Sequence, residues 1–236
     1  MRILVTRPLP DGERTAQALS AAGHDVMLAP LTRIRPVAAD VTGAWAAVII
    51  TSINAIRALT RAQLEPLLAL PLFAVGERSA AAARAAGFRD IHTPRSDAGD
   101  LVRLIVSRRL GHSHPYLYLA GAERAADIEG ELKRQGIAAV TMVVYRTVTT
   151  GFPPDLFDAI DHGSIDAVLH FSRRSAETYL AGAKDAGLLA AALKPRQLCI
   201  SGTVAETLAQ AGANAVEIAS RPDEASVLAL VAQRSP

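Results

Sequence analysis

The chain has 236 residues, 50% of them hydrophobic, and a net charge of +2 from 25 basic and 23 acidic side chains. That length and apolar content fill the cores of one large domain or two ordinary ones and exclude a disordered chain, while the near balance of charge gives no support to a nucleic-acid binder working by phosphate neutralisation. Aromatic residues make up only 4%, so the cores must be packed from Ala, Val, Leu and Ile, as in buried parallel strands flanked by Ala-rich helices rather than in a β-sandwich.

In chain order, Ile3 to Thr6 reads as a strand, Gly12 to Ala22 as a helix, and Asp25 to Ala29 as a strand after a turn at Gly23. The stretch Pro30 to Val41 carries polar and proline punctuation. Ala46 to Thr51 then reads as a strand, Ile53 to Arg61 as a helix, Leu72 to Val75 as a strand and Glu77 to Ala86 as a helix. Asp90 to His92 follows as a short strand, Ala98 to Arg108 as a helix, Tyr116 to Ala120 as a strand, Ala125 to Gln135 as a helix and Ala138 to Tyr145 as a strand. The last third continues the alternation: strands over Ala167 to Phe171, Gln197 to Ser201 and Ala215 to Ile218, and helices over Ser175 to Ala186, Val204 to Ala211 and Glu224 to Gln233. Ten strands are expected. The apolar run at the N-terminus is too short for a signal-peptide core, and no run reaches the roughly 18 apolar residues needed to span a bilayer, so a cytoplasmic protein without membrane partners is expected.

The sequence repeats itself. Ala47-Val48-Ile49-Ile50-Thr51-Ser52 with Ala55 matches Ala167-Val168-Leu169-His170-Phe171-Ser172 with Ala176, and Val75-Gly76 before Ser79-Ala80 matches Ser201-Gly202 before Ala205-Glu206. A second pair relates Ile3 to Ala29 with Leu117 to Met142. The order of units is A, B, A′, B′, which suits two α/β domains of five parallel strands each, but the repeat alone leaves open whether A joins B or B′. Residues Leu31 to Val37 and Val143 to Val148 are both extended and β-prone and occupy equivalent places after A and A′. If both are crossovers they would pair as a two-stranded hinge.

No GxGxxG, Walker A, HExxH or CxxC pattern occurs, so a nicotinamide, ATP or zinc site has no positive support. The six histidines, His112 and His114 among them, form no ligand-like cluster, and the single cysteine, Cys199, sits in an apolar strand as a buried thiol. What recurs is a small hydroxyl residue or glycine where a strand hands over to a helix: Thr6, Thr51 and Ser52, Gly76 and Ser79, Gly121, Ser172 and Ser175, Gly202 and Thr203. In open parallel sheets ligands bind at the carboxyl ends of strands, where helix N-terminal amides and hydroxyls can hold carboxylates or phosphates. Each Ser or Thr also has a plain use as an N-cap. Arginines Arg33, Arg35, Arg173 and Arg174 near strand ends or linkers add to the case for an anionic small molecule.

Taken together, Val5-Thr6-Arg7-Pro8, Thr51-Ser52-x-x-Ala55, Ala74-Val75-Gly76-x-x-Ser79-Ala80, Val144-Tyr145-Arg146-Thr147, Phe171-Ser172-x-x-Ser175-Ala176, and Gly202-Thr203 before Ala211-Gly212 resemble the uroporphyrinogen-III synthase family over essentially the whole chain. No one of these elements is specific; their order and spacing carry the resemblance. It implies two flavodoxin-like domains, residues 1–34 plus 149–236 and residues 38–143, with linkers about 31–41 and 143–150 forming a β-ladder hinge beside a cleft. It also implies a cofactor-free and metal-free lyase that closes hydroxymethylbilane to uroporphyrinogen III with loss of water and inversion of ring D.

By the same resemblance Tyr145 is the candidate catalytic group, assisting departure of the substrate hydroxyl, a role that suits tyrosine because a phenol holds its proton at neutral pH. Arg7, Thr51, Ser52, Gly76, Ser79, Gly121, Ser172, Ser175, Gly202 and Thr203 are the candidate substrate-binding positions. Ser79 stands where the family more often has threonine, Arg173-Arg174 replace a more usual Ser-Pro pair, and Arg124 is out of register with the arginine the family carries after Gly121. A monomer is implied, with at most a transient contact with the preceding pathway enzyme. The rival reading is a non-catalytic two-lobed protein that binds an anionic small molecule.

Overall fold

Most apolar runs form a strand followed by a helix, and the computed structural model describes residues 1–94, 98–108, 113–124 and 126–232. The chain begins β1 (Arg2–Val5), α1 (Asp11–Ala21), β2 (Asp25–Leu28) and β3 (Thr32–Pro36), then β4 (Val48–Ile50), α2 (Ile53–Arg57), α3 (Arg61–Leu64), β5 (Leu72–Ala74), α4 (Glu77–Ala86) and β6 (Ile91–His92). It continues α5 (Ala98–Arg108), β7 (Tyr116–Gly121), α6 (Ile128–Arg134), β8 (Ala139–Thr149), α7 (Pro154–Asp161), β9 (Ala167–His170), α8 (Arg173–Asp185) and α9 (Leu189–Ala192). It closes with β10 (Arg196–Cys199), α10 (Gly202–Gln210), β11 (Val216–Ile218) and α11 (Glu224–Ala232). The expected start of one helix at Ala125, the expected end of the last helix at Gln233, and His112 lie outside the described residues.

Three local differences from the sequence reading have physical causes. The helix expected over Ile53 to Arg61 stops at Arg57, because Thr60 starts a new one: its hydroxyl accepts from the Gln63 amide while the Gln63 side chain accepts from the Thr60 amide, a reciprocal capping box. Helix α7 has no counterpart in the reading. Pro154 at its first turn needs no N–H partner, and Leu156, Ala159 and Ile160 bury one face. Finally, the β-prone stretch after β2, left out of the ten expected strands, forms an eleventh, β3, on the edge of a sheet next to β8, and just beyond it the Val37 amide donates to the Val144 carbonyl at 2.8 Å.

The chain divides into two compact units, Met1–Arg33 with Val148–Pro236, and Ile34–Thr147. The first holds a five-stranded sheet in the order β11-β10-β9-β1-β2, every pair parallel. Leu4 and Val168 point to one face, where they pack with Leu156, Ile160, Tyr179 and Ala183 of α7 and α8; Ile3, Val5 and Leu169 point to the other, against Leu19 of α1 and Val227 and Leu230 of α11. The second unit holds the order β3-β8-β7-β4-β5-β6, so it has six strands where five were expected, with β8-β7-β4-β5-β6 parallel throughout. Val48, Ile50, Leu117 and Leu119 face α2 and α4, and Ile49, Phe73, Tyr116 and Tyr118 face α5 and α6. The period-2 alternation of fully buried strands thus sends one set of side chains to each helical layer.

In each sheet the winding reverses once. In the first unit the chain moves outward from β1 to β2 on one side and from β9 through β10 to β11 on the other, so the reversal falls between β1 and β9. In the second it falls between β4 and β7. At such a reversal the connecting helices leave in opposite directions and open a crevice at the carboxyl ends of the two strands, where ligands bind in open α/β sheets.

Candidate active site

At the carboxyl end of β4 in the second unit the backbone runs into Thr51 and Ser52. Ser52 is extended (φ −149°, ψ 142°) and its Oγ accepts from the Asn54 amide, capping α2. Thr51 is half-buried, and its Oγ1 lies 3.1 Å from the Tyr118 Oη on the neighbouring strand β7. Burial is the main reason the Tyr118 phenol titrates above its ordinary range; the bond to Thr51 pulls the other way, the nearby Tyr145 adds to the rise and the Arg124 charge offsets it. Thr51, Tyr118, Tyr145 and Arg124 therefore share one electrostatic neighbourhood at the reversal between β4 and β7.

Tyr145 reaches that place through an irregularity in β8. The pairing of β7 with β8 advances from Ala120 opposite Val143 to Gly121 opposite Tyr145, so Val144 is an extra residue and the strand bulges. The Ala122 amide donates to the Tyr145 carbonyl at 2.9 Å. A Cβ placed on Gly121 would lie 2.8 Å from the Tyr145 Cζ and 3.0 Å from its Oη, so the phenol rests directly on the glycine. The glycine thus acts through the space it leaves open: only a residue without a side chain lets the ring lie there.

On the next strand, Gly76 caps α4 at φ +76°, a backbone conformation glycine adopts without strain, and nothing stands within 4 Å of where its Cβ would be. The space on that side of the backbone is open. Ser79, in the first turn of α4, is 5% exposed.

The first unit repeats part of this pattern. Ser172 is extended (φ −161°, ψ 153°), and its Oγ accepts from the Ser175 amide at 3.1 Å and lies 3.0 Å from the Ser175 Oγ. Ser175 itself is buried. Gly202 differs from Gly76: it is the first residue of α10 rather than its cap, and a Cβ there would meet open space. The cap is Ser201, whose side chain makes no capping bond. Thr203 is exposed in the first turn, its carbonyl accepting from the Thr207 hydroxyl. Arg173 pairs with Glu177 one helical turn along, at 2.8 Å.

Arg7 stands apart from the other candidates. It is 6% exposed, its guanidinium donates to Thr15 at 3.0 Å, pairs with Asp11 at 3.3 Å and with Glu224 at 3.2 Å, and stacks 4.1 Å over the Phe171 ring. Glu224 also accepts from the Thr15 hydroxyl at 2.5 Å and from Arg14. Despite the desolvation that opposes it, these partners hold the Glu224 carboxyl below the usual carboxylate range. Arg7 joins the starts of α1 and α11 and holds Phe171 at the reversal between β1 and β9.

A model of the family described as uroporphyrinogen-III synthase HemD matches residues 13–229. The chain belongs to this family. Its members are cyclising lyases of heme biosynthesis, which disfavours the purely binding alternative. Among solved structures, the uroporphyrinogen-III synthetase of Helicobacter pylori is similar with a TM-score of 0.68 at 18% identity, covering 98% of this chain and 97% of that one. A mutant uroporphyrinogen III synthase of the extremely thermophilic bacterium Thermus thermophilus is similar with a TM-score of 0.59 at 19% identity, again over 98% and 97% of the two chains. These likenesses confirm the α/β fold with parallel sheets flanked by helices. No curated protein matches by sequence.

Among the described residues no group of His, Cys, Asp and Glu is placed to hold a metal ion, and no helix is long and apolar enough to cross a membrane. Cys199 is buried, its thiol pushed up to about 12 by desolvation, so it is inert at neutral pH. A surface cavity of about 520 Å³ lies between α9 and the turn into β11, away from the carboxyl ends of the strands. Its lining of Leu189, Leu193 and Ala211 with Lys194 offers no acid, base or nucleophile set. The residues that the sequence reading passes over are Tyr118, which looks like one more core aromatic in the alternation of β7, and Ser201, which the repeat places before Gly202 as a plain cap.

Proposed function

We propose that this chain is a uroporphyrinogen-III synthase that closes hydroxymethylbilane to uroporphyrinogen III, with inversion of ring D and loss of water. The observation that carries this reading is the family match along nearly the whole chain, residues 13–229. The chain's own residues divide the work. The Tyr145 phenol gives its proton to the departing hydroxyl; the C–O bond breaks, water leaves, the pyrrole N–H of the same ring gives up the proton that restores the phenol, and the resulting azafulvene is electrophilic enough to need no strong acid or base. Thr51, Ser52, Gly76, Ser79 and Gly121 at one carboxyl edge, and Ser172, Ser175, Gly202 and Thr203 at the other, serve the substrate's eight carboxylates through hydroxyls and open amides. What remains is an orientation problem, bringing the terminal rings together. Arg7 contributes by keeping Phe171 and Ser172 in place rather than by touching the substrate, a role its internal ion pairs support.

The residues 1–34 plus 149–236 and 38–143 act as the two domains, with β3 and β8 as the hinge, a reading supported by the division of contacts at Arg33 and Thr147 and by the neighbouring places of these strands in the sheet. The enzyme works as a cytoplasmic monomer without metal or organic cofactor, meeting the preceding enzyme of the pathway at most transiently. The test is an assay of the purified, metal-stripped protein on freshly generated hydroxymethylbilane, with the oxidised products separated into type I and type III uroporphyrin. Type III in excess over the spontaneous type I is the expected result; type I alone from folded protein would overturn the reading. Tyr145→Phe is expected to lower the rate by on the order of 10²-fold, the usual scale for a lost acid, with product binding nearly intact.

A further inference from the structure

The hydroxyls of Thr51 and Tyr118 lie 3.1 Å apart, and either can donate to the other. Two hydroxyls bring two protons, and one shared bond uses one of them, so the second proton must find another acceptor. Packing decides which one is free to do so. Tyr118 is 3% exposed and its ring is set in the cluster that includes Ile49, Phe73 and Ile128, whereas Thr51 is half-buried just beyond the carboxyl end of β4. A phenol is also the stronger donor of the two and the alcohol the better acceptor.

We propose that Tyr118 is a positioning residue for substrate: it donates its proton to Thr51 Oγ1 and so turns the Thr51 hydroxyl proton outward, toward a substrate carboxylate. The inference rests on the reading of the chain as a uroporphyrinogen-III synthase and adds a specific role to a residue that touches no substrate. The burial that raises the Tyr118 phenol above its ordinary range keeps it a donor at neutral pH. Loss of the phenol leaves the threonine free to rotate, so a charge-assisted bond to carboxylate is made by a less ordered donor.

The experiment measures kcat and KM on hydroxymethylbilane for wild type, Tyr118→Phe, Thr51→Val and the double variant, with thermal melting of each. Tyr118→Phe is expected to raise KM by about 3- to 10-fold with kcat changed much less, the scale of a weakened hydrogen bond to a charged group. In the Thr51→Val background the same change is expected to add nothing to KM, and in a Thr51→Ser background, where the hydroxyl is kept, to raise it again. Thr51→Ala replaces Thr51→Val should the latter not fold. An unchanged KM in Tyr118→Phe, or an equal increase with and without the Thr51 hydroxyl, overturns the proposal while leaving the synthase reading intact. Wild-type protein that makes no type III isomer overturns both.

Discussion

At Gly121 a methyl group and the Tyr145 phenol would compete for the same space. The added Cβ would sit 2.8 Å from the ring, closer than such contacts come, and the strand backbone around it is buried and paired with β8. Gly121→Ala is therefore expected to turn the Tyr145 ring away, losing activity on the scale of Tyr145→Phe, and to cost about 1–3 kcal/mol in stability, the usual penalty for overpacking. Product formation from hydroxymethylbilane and a thermal melt check the two halves of this expectation; full activity in a folded Gly121→Ala protein would mean that the phenol's place on the glycine is not used in the reaction. Both residues are legible in the sequence as positions, but their contact is not, because it depends on the one-residue bulge that brings Tyr145 opposite Gly121. Arg7 is similar. Its place after β1 is plain, yet Glu224, the partner that gives it an internal role, comes from the far end of the chain. A single sequence carries no sign of that pairing.

Helix starts separate capping from binding, because the two uses respond differently to the same small change. Ser172 holds the Ser175 amide, so Ser172→Ala is expected to destabilise the first unit by about 1 kcal/mol, read as a lowered melting temperature. Gly202 is already helical and its Cβ would meet open space, so Gly202→Ala is expected to leave stability unchanged or to raise it by a few tenths of a kcal/mol, through the unfolded chain's lost freedom. If the α10 amides approach a substrate carboxylate, the methyl group obstructs them and KM rises; equal KM for Gly202→Ala and wild type removes that helix start from the binding surface. The alternation of strand and helix is readable because most strands are continuous apolar runs and most helices follow with a buried stripe. It fails where local chemistry overrides the run. The Thr60 capping box cuts one expected helix in two, and the proline pair before α7 looks like a linker until Leu156, Ala159 and Ile160 are seen to bury one face. Extended character over Leu31 to Val37 is visible in the sequence, but membership of β3 in a sheet is decided by β8, a partner more than a hundred residues away.

The stability of the whole molecule should depend on pH in a way set by three buried groups of the first unit. His170 is fully buried on β9, its Nε2 2.8 Å from Gln197 Oε1 and its ring against Tyr179, and burial lowers it from 6.5 to about 4. Between those values the unfolded chain binds a proton at this position and the folded chain does not, so stability falls as pH drops through the window and levels off below about 4, where both states are protonated. A shift of that size corresponds to a loss on the order of 3 kcal/mol. On the alkaline side the signs reverse: Cys199 is raised from 9.0 to about 12 by burial and Tyr179 is raised for the same reason, so the unfolded chain loses these protons first and stability falls as pH rises above about 9. Greatest stability is therefore expected between about pH 6.5 and 9. Glu224, held below its usual range by Thr15, Arg7 and Arg14, adds a further loss that sets in under its own unfolded value and so lies mostly below the histidine window. Denaturant unfolding of wild type and His170→Leu across pH 4 to 7 separates the histidine from the carboxylate. The variant sacrifices the bond to Gln197 and starts from a lower stability at neutral pH, but its slope between pH 6.5 and about 5 is expected to be much flatter, because the group that takes up the proton on unfolding has been removed. Parallel curves for the two proteins between pH 6.5 and about 5 would mean that His170 is not the residue through which acid acts there.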